Sequence, residues 1–124
     1  MSARIYFDRS TEIIQDLSDD LESLTVIDCE DLYELIFPSN LISFSIRNCP
    51  LRYLPPFPST LRVLYIEDCE FQSIPSLKHT QLRIFCCKNT PIQKMPELPP
   101  TIEILNVEDI LMNQLSNELK KTAM

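Results

Sequence analysis

Residues 61–71 read LRVLYIEDCEF, and four further segments of the chain superpose on this stretch. They read LESLTVIDCEDL from Leu21, LISFSIRNCPL from Leu41, LRIFCCKNTPI from Leu82 and IEILNVEDILM from Ile102. The starting positions are 20, 20, 21 and 20 residues apart, and each segment has apolar residues at its first, fourth and sixth positions. Self-similarity at a fixed period of this length is typical of a solenoid, in which each repeat stacks on its neighbours.

Each segment predicts one strand, and each linking half predicts a return without a long helix. Side chains alternate between the two faces of a strand, so positions four and six should face a core while positions three, five and seven face outward on a parallel sheet. Eight of the ten prolines lie in the linking halves, for example in YLPPFPST before Leu61. Because proline fixes φ near about −65° and keeps the preceding residue extended, we expect extended or 3₁₀ returns.

The repeats match L-x-x-L-x-L-x-x-(N/C)-x-L, so the chain resembles a leucine-rich repeat protein. The segments LPPFPSTLRVLYIEDCEFQSIP and MPELPPTIEILNVEDI resemble the short LPX-type repeats of bacterial type III secreted effectors. The resemblance covers residues 21–112, with Cys or Thr at position nine where the family usually has Asn. It implies an α/β leucine-rich repeat solenoid with a curved parallel sheet on its concave side and proline-rich returns on its convex side. It also implies a role in virulence, with a host protein as the partner and the host cell as the location.

The repeat pattern divides the chain into three regions. Residues 21–112 form five repeats, and residues 1–20 form an N-terminal cap or degenerate repeat, with a short helix over residues 10–18 as an alternative. Residues 113–124 form a C-terminal cap helix or tail. Leucine recurs at four-residue spacing through this end of the chain, at Leu111, Leu115 and Leu119.

Composition excludes most enzyme classes. The chain has no glycine, so it has no glycine-rich phosphate loop. Its one histidine, His79, makes a histidine-based catalytic triad or a His-rich zinc site improbable. We therefore expect no enzymatic activity, no cofactor and no metal. We also expect the chain to turn at Asn, Asp and Cys corners rather than through positive-φ glycine turns.

Charge and cysteine content narrow the partners and the compartment. The net charge is −7, and residues 1–34 contain ten acidic and two basic side chains. Without a basic stripe, nucleic acid is not expected as a partner. No apolar run approaches the roughly 18 residues of a membrane span, and no signal peptide is apparent. Five cysteines without CxxC spacing indicate reduced thiols in the cytoplasm or another reducing compartment.

The outward rows of the sheet contain the candidate binding site. Exposed apolar side chains around a tyrosine are typical of an interaction surface. A row at position seven alternates in charge, which predicts either a set of exposed ion pairs or a charge pattern for a partner. The candidate partner-binding residues are Tyr65, Val63, Ile84, Ile104, Arg47, Glu67, Lys88 and Cys86.

Three interpretations of function follow from this surface. The first is a non-catalytic module, monomeric or weakly dimeric, that binds another protein through the concave sheet. The second is a structural subunit that self-associates through its apolar rows or a poorly capped end. The third is a thiol enzyme or redox sensor that uses outward-facing Cys86. At position nine, by contrast, cysteine is expected to bond the neighbouring backbone as a structural residue, at Cys29, Cys49 and Cys69.

Overall fold

The structure, a computed structural model, describes residues 3–107. The expected C-terminal cap helix or tail at residues 113–124 lies outside the described residues. The described strands, in chain order, are β1 (Ala3–Tyr6), β2 (Ile13–Ile14), β3 (Ser23–Ile27), β4 (Glu34–Leu35), β5 (Ser43–Arg47), β6 (Val63–Glu67), β7 (Ile84–Lys88) and β8 (Ile104–Val107).

Six of these strands form one parallel sheet in the order β1-β3-β5-β6-β7-β8. Equivalent repeat positions lie side by side, so that Ser43 pairs with Ser23 on one neighbouring strand and with Val63 on the other. The chain is thus a parallel β-sheet solenoid of about five turns. This confirms the predicted repeat architecture and the predicted parallel sheet.

One continuous core is built from the inward positions of the strands and from apolar residues of the returns. Inward strand residues such as Phe44, Leu64 and Phe85 have no exposed surface. On the return side, the Phe37 ring lies 4.8 Å from that of Phe44 and 5.5 Å from that of Phe57. Each repeat therefore buries its apolar side chains against its neighbours, which is the main favourable term in folding.

The returns of residues 3–107 contain neither an α-helix nor a 3₁₀-helix. The helical part of the expected α/β class is therefore not found in the described region, because proline-rich linkers of this length cross the core as extended chain. Two returns form a small second sheet that the sequence did not predict, in which β2 pairs with β4 in parallel. Threonine side chains link other returns to the preceding repeat, with Thr60 Oγ1 donating to the Leu41 carbonyl and Thr101 Oγ1 to the Leu82 carbonyl, both at 2.7 Å.

The N-terminal coil, residues 3–20, stacks on the first repeat. Its strand β1 occupies one edge of the main sheet and pairs with β3. The alternative helix over residues 10–18 is absent, because this stretch contains β2 and then Asp16 with a positive φ of 57°. Ile14 is buried, whereas Ile5 on the edge strand and Phe7 just after it are 53% and 57% exposed.

Candidate functional site

The outer face of the main sheet, meaning the face that points away from the core, presents positions three, five and seven of each repeat. In β6 the outward residues Val63, Tyr65 and Glu67 are half-buried, while the intervening Leu64 and Ile66 are completely buried. This alternation follows from the pleat of a strand with a core on one side only. The structure thereby places the candidate partner-binding residues on one surface, across β5 to β8.

Tyr65 lies at the centre of this surface. Its sheet neighbours at the same position are Ser45 and Cys86. The Tyr65 hydroxyl donates a hydrogen bond of 2.8 Å to Oε2 of Glu67, two residues along the same strand. Because the proton is shared with a carboxylate, the pKa of the Tyr65 phenol is raised, with a smaller contribution from desolvation. The hydrogen bond fixes the direction of the phenol on the outer face.

An apolar row borders Tyr65 at position three. Val63 pairs with Ile84, and Ile84 with Ile104 on the next strand. Val63 and Ile84 are half-buried, and Ile104 is 53% exposed. The same row is Ser23 and Ser43 in the first two repeats. The outer face therefore changes from hydroxyl-lined to apolar between β5 and β6.

Among the described residues, the charged row at position seven does not form the ion pairs that its alternation suggested, and its last member, Glu108, lies outside those residues. Arg47, Glu67 and Lys88 pair in register along the sheet. Neither cation, however, has a nitrogen within 4.0 Å of the Glu67 carboxylate in the described structure, whereas Oε2 of that carboxylate accepts the Tyr65 hydroxyl. Arg47 and Lys88 are both exposed. Two cations are therefore available to an acidic partner on either side of Glu67.

Cys86 is half-buried on the outer face, in register between Tyr65 and Asn106. The neighbouring Cys87 points inward and is part of the core. His79 lies on a return, where its Nε2 is 2.7 Å from the Phe57 carbonyl oxygen. Nothing in this arrangement brings an imidazole to the Cys86 sulfur, which lies on the sheet.

The cysteines at position nine form a buried row along one corner of the solenoid. The single proton of each thiol lies between two acceptors, the carbonyl two residues before it and the carbonyl of position six in the preceding coil. For Cys69 the two acceptors are Glu67 at 3.3 Å and Ile46 at 3.9 Å. Burial raises the pKa of Cys29 and of Cys69 to about 11, and burial likewise raises the pKa of Cys49. These thiols are hydrogen-bond donors between repeats, as their position in the repeat predicted.

Position eight of the first four repeats lies at the corners that the sequence predicted, and the structure shows their backbone conformation. Its residues all have positive φ, between 47° and 57°, which Asn and Asp adopt more readily than other non-glycine residues. They are Asp28, Asn48, Asp68 and Asn89. The chain thus turns at Asn and Asp corners as expected, and the structure adds that these residues take the positive-φ conformation that glycine usually supplies.

These corner residues also pair between repeats. Asn48 Nδ2 donates to Asp28 Oδ1 at 2.8 Å, and Asn89 Nδ2 donates to Asp68 Oδ1 at 2.6 Å. The alternation continues at position ten, with acids in the first and third repeats and prolines in the second and fourth. The residues are Glu30, Pro50, Glu70 and Pro91. The structural period is therefore two repeats, and the signal was present in the sequence as alternating D-C-E and N-(C/T)-P corners.

A second surface, on the flank that follows these corners, was also missed. Position 13 of successive coils holds large exposed side chains at the N-terminal end of the solenoid: Ile13 is 38%, Tyr33 62% and Tyr53 80% exposed. The third and fourth repeats have Ser73 and Lys94 in this row. Reading the row at position 13 in the same way as the strand rows would have revealed it.

Residues 3–107 contain no group of three or more His, Cys, Asp and Glu side chains arranged to hold a metal ion. Over the same residues, no helix has the length and apolar character needed to cross a membrane. The chain matches no protein-family model, and neither the curated proteins nor the solved structures yield a match.

Proposed function

We propose that this chain is a non-catalytic leucine-rich repeat module that binds another protein through the outer face of its sheet. The observation that carries the proposal is the outward-facing apolar row beside Tyr65, whose phenol is held in place by Glu67. A buried, continuous core supports these side chains from below. Residues presented on a regular sheet lose less conformational freedom on binding than residues on a loop.

The surface has two kinds of contact to offer a partner. Val63, Ile84 and Ile104 supply apolar area next to an aromatic ring, the combination from which interface hot spots are built. Arg47 and Lys88 supply exposed cations that make no ion pair within the described structure. The partner surface should therefore carry an apolar protrusion flanked by acidic groups, in spite of the negative net charge of the chain.

The resemblance to LPX-type effector repeats supports a further part of the proposal. On that basis the partner is a host protein, and the chain acts in the reducing interior of a host cell. None of the five cysteines forms a disulfide, which is consistent with such a compartment.

A double substitution tests the binding face. Tyr65→Ala with Ile84→Ala removes the aromatic centre and half of its apolar border, while both side chains are on the surface and not in the core. Partners captured from host-cell lysate by the wild-type chain are identified by mass spectrometry and then measured with purified protein. We expect the double variant to weaken the interaction at least about tenfold.

Tyr53→Ala is the matched control, since it removes an exposed tyrosine from the flank and leaves the outer face intact. Unchanged partner binding by the double variant, or equal loss in the control, would contradict the proposed binding face.

Self-association is a second candidate function, and the edge strand β1 favours it. No described residue pairs with the free side of β1, where Ile5 and Phe7 are largely exposed. An unpaired edge with exposed apolar side chains can pair with another strand. Light scattering over a range of concentrations tests this: Phe7→Lys should abolish any dimer, and a chain that is monomeric at all concentrations would exclude this function.

A further inference from the structure

The flank that carries Tyr33 and Tyr53 contains two adjoining grooves that share one wall. The first, of about 440 Å³, lies between the first two repeats and is lined by both tyrosines and by Pro50. The second, of about 420 Å³, continues past Tyr53 to Glu70. Arg52 and Tyr53 line both. We call this surface the flank groove, and it is separate from the outer face of the sheet.

The two tyrosines are largely exposed and bury little of their area within the chain. Tyr33 is 62% and Tyr53 80% exposed, although large aromatic side chains normally bury most of their area. Within the described structure neither ring stacks on another ring, and neither hydroxyl makes a hydrogen bond. Each tyrosine therefore offers an apolar face and an unused hydroxyl donor. Beneath them, Leu32 and Leu51 form a buried apolar floor.

The backbone of the flank groove restricts the conformation of the ligand. The strand β4 ends at Leu35, and residues 50–53 and 70–73 are not in strands. A ligand cannot lengthen a sheet here, so side chains must hold it. A polyproline II segment suits such a site, because it is already extended, has no internal hydrogen bonds and exposes its carbonyl groups to donors such as tyrosine hydroxyls.

The charges of the flank groove repeat at the same distance as a polyproline II turn. Glu30 and Glu70 both lie at position ten, two repeats apart, which corresponds to about 9.6 Å along the sheet. Three residues of polyproline II advance about 9.3 Å. Two basic side chains at i and i+3 of such a ligand would therefore meet the two carboxylates.

Both carboxylates are available to a ligand. Glu30 contacts Arg9 at 3.6 Å, but both side chains are more than half exposed, and such surface pairs contribute little. Glu70 is exposed and has no ion pair within the described residues. With Asp31 beside them, the acids outnumber Arg52, the one cation that lines these grooves. The surface is therefore complementary to a basic ligand.

We propose that the flank groove binds a proline-rich segment of another protein in the polyproline II conformation, with basic residues at i and i+3. The prolines pack against Tyr33 and Tyr53, and the two basic side chains pair with Glu30 and Glu70. This site is independent of the proposed function of the outer face.

Fluorescence anisotropy with labelled synthetic peptides and the full chain tests the proposal at about 0.15 M salt. The probe is PPRPPRPP, in which the arginines are three residues apart. One comparison peptide, PPRPRPPP, has the same composition with the arginines two residues apart, and a second, GSRGSRGS, keeps the spacing without proline. We expect saturable binding of the first peptide and at least about tenfold weaker binding of the other two.

Binding of PPRPPRPP should be at least about tenfold weaker in Tyr53→Ala and in Tyr33→Ala. In Glu70→Gln it should be about threefold weaker. Tyr65→Ala, on the outer face, is the control and should bind the peptide normally. Circular dichroism should show that each variant has the wild-type fold, since the substituted side chains lie on the surface and none belongs to the core. Binding of all three peptides with similar affinity, insensitivity to both flank tyrosines, or no saturation at millimolar peptide would each overturn the proposal.

Discussion

Two rows of hydrogen-bonding side chains run along the same corner of the solenoid, one residue apart in each of the first four repeats, and they follow opposite rules. The inner row is buried and keeps nearly the same neutral group, as Cys29, Cys49, Cys69 and Thr90. The outer row at position eight alternates between carboxylate and amide. Neutral donors can stack at a spacing of about 4.8 Å without repulsion, whereas carboxylates stacked at that spacing repel one another. The chemistry of a side chain, and not its place in the repeat alone, decides whether a repeat can be copied unchanged.

The largest loss of folding stability should come from introducing an aspartate into the inner row. Cys49 is 3% exposed, so Cys49→Asp would bury a charge with no partner, at a cost of about 3–5 kcal/mol. We expect the variant to be unfolded or severely destabilised at neutral pH and partly rescued at acidic pH, where the carboxyl is protonated. Urea unfolding followed by circular dichroism measures this. Wild-type stability would show that the inner row tolerates charge.

Alkaline pH should lower the stability that the inner-row thiols give to the wild-type chain. The thiols of Cys29 and Cys69 have folded-state pKa values of about 11 against an ordinary value of 9.0. As the pH rises from about 9 to about 11, the unfolded chain loses these protons first, so the free energy of unfolding falls. Below about 9 this contribution is fully present.

The matched control for the alkaline experiment is Cys29→Ser with Cys69→Ser, which keeps hydroxyl donors that do not titrate in this range. Unfolding is measured under reducing conditions at several pH values. The stability of the wild type relative to this variant should decrease across the interval, and a constant difference would argue against thiol protonation as the cause.

Substitutions that conflict with the positive φ of the outer row should cause a smaller loss of folding stability. Asn48 has a φ of 52°, so Asn48→Ala places a β-carbon in the left-handed region and removes the bond to Asp28, costing about 1–2 kcal/mol. Asn48→Gly removes the same bond without that steric cost and should be less destabilising. Chemical unfolding of the two variants gives the difference, and equal losses would show that the hydrogen bond accounts for the whole effect.

The smallest loss of folding stability is expected when an aspartate is introduced into the outer row. Aspartate can keep the positive φ of this corner, but Asn48→Asp places a second negative charge beside Asp28. We expect the free energy of unfolding to fall by about 1 kcal/mol. Because this site is exposed, salt should reduce the loss. Adding Asp28→Asn restores an amide–carboxylate pair and should recover part of the stability. A loss as large as that of Cys49→Asp would erase the distinction between the two rows.

The main sheet could be predicted from the sequence because position and burial are linked by simple geometry. Apolar residues at positions four and six, such as Leu64 and Ile66, leave one way to place a strand against a core. The small sheet of β2 and β4 could not be predicted, since its strands are two residues long and have no repeated pattern in later repeats.

The residues of the candidate site could be placed on one face, but their pairing could not. Alternating charge at position seven predicts proximity between repeats, yet the Glu67 carboxylate turns along its own strand to Tyr65. Rotamer choice of this kind depends on local competition, which spacing does not encode. The corners themselves were predicted at Asn and Asp, but composition alone did not give their left-handed backbone, which Asn and Asp supply in the absence of glycine.

The two-repeat period determines how a chain of this kind can change its length. Deleting residues 41–60 would bring the third repeat against the first and set Asp68 beside Asp28 without an amide between them. Deleting residues 41–81 would instead set Asn89 beside Asp28, which reproduces the existing contact. The unit that can be duplicated or deleted in this solenoid is thus a pair of repeats. Insertion or deletion of about forty codons should leave each remaining corner residue beside one with which it can form a hydrogen bond.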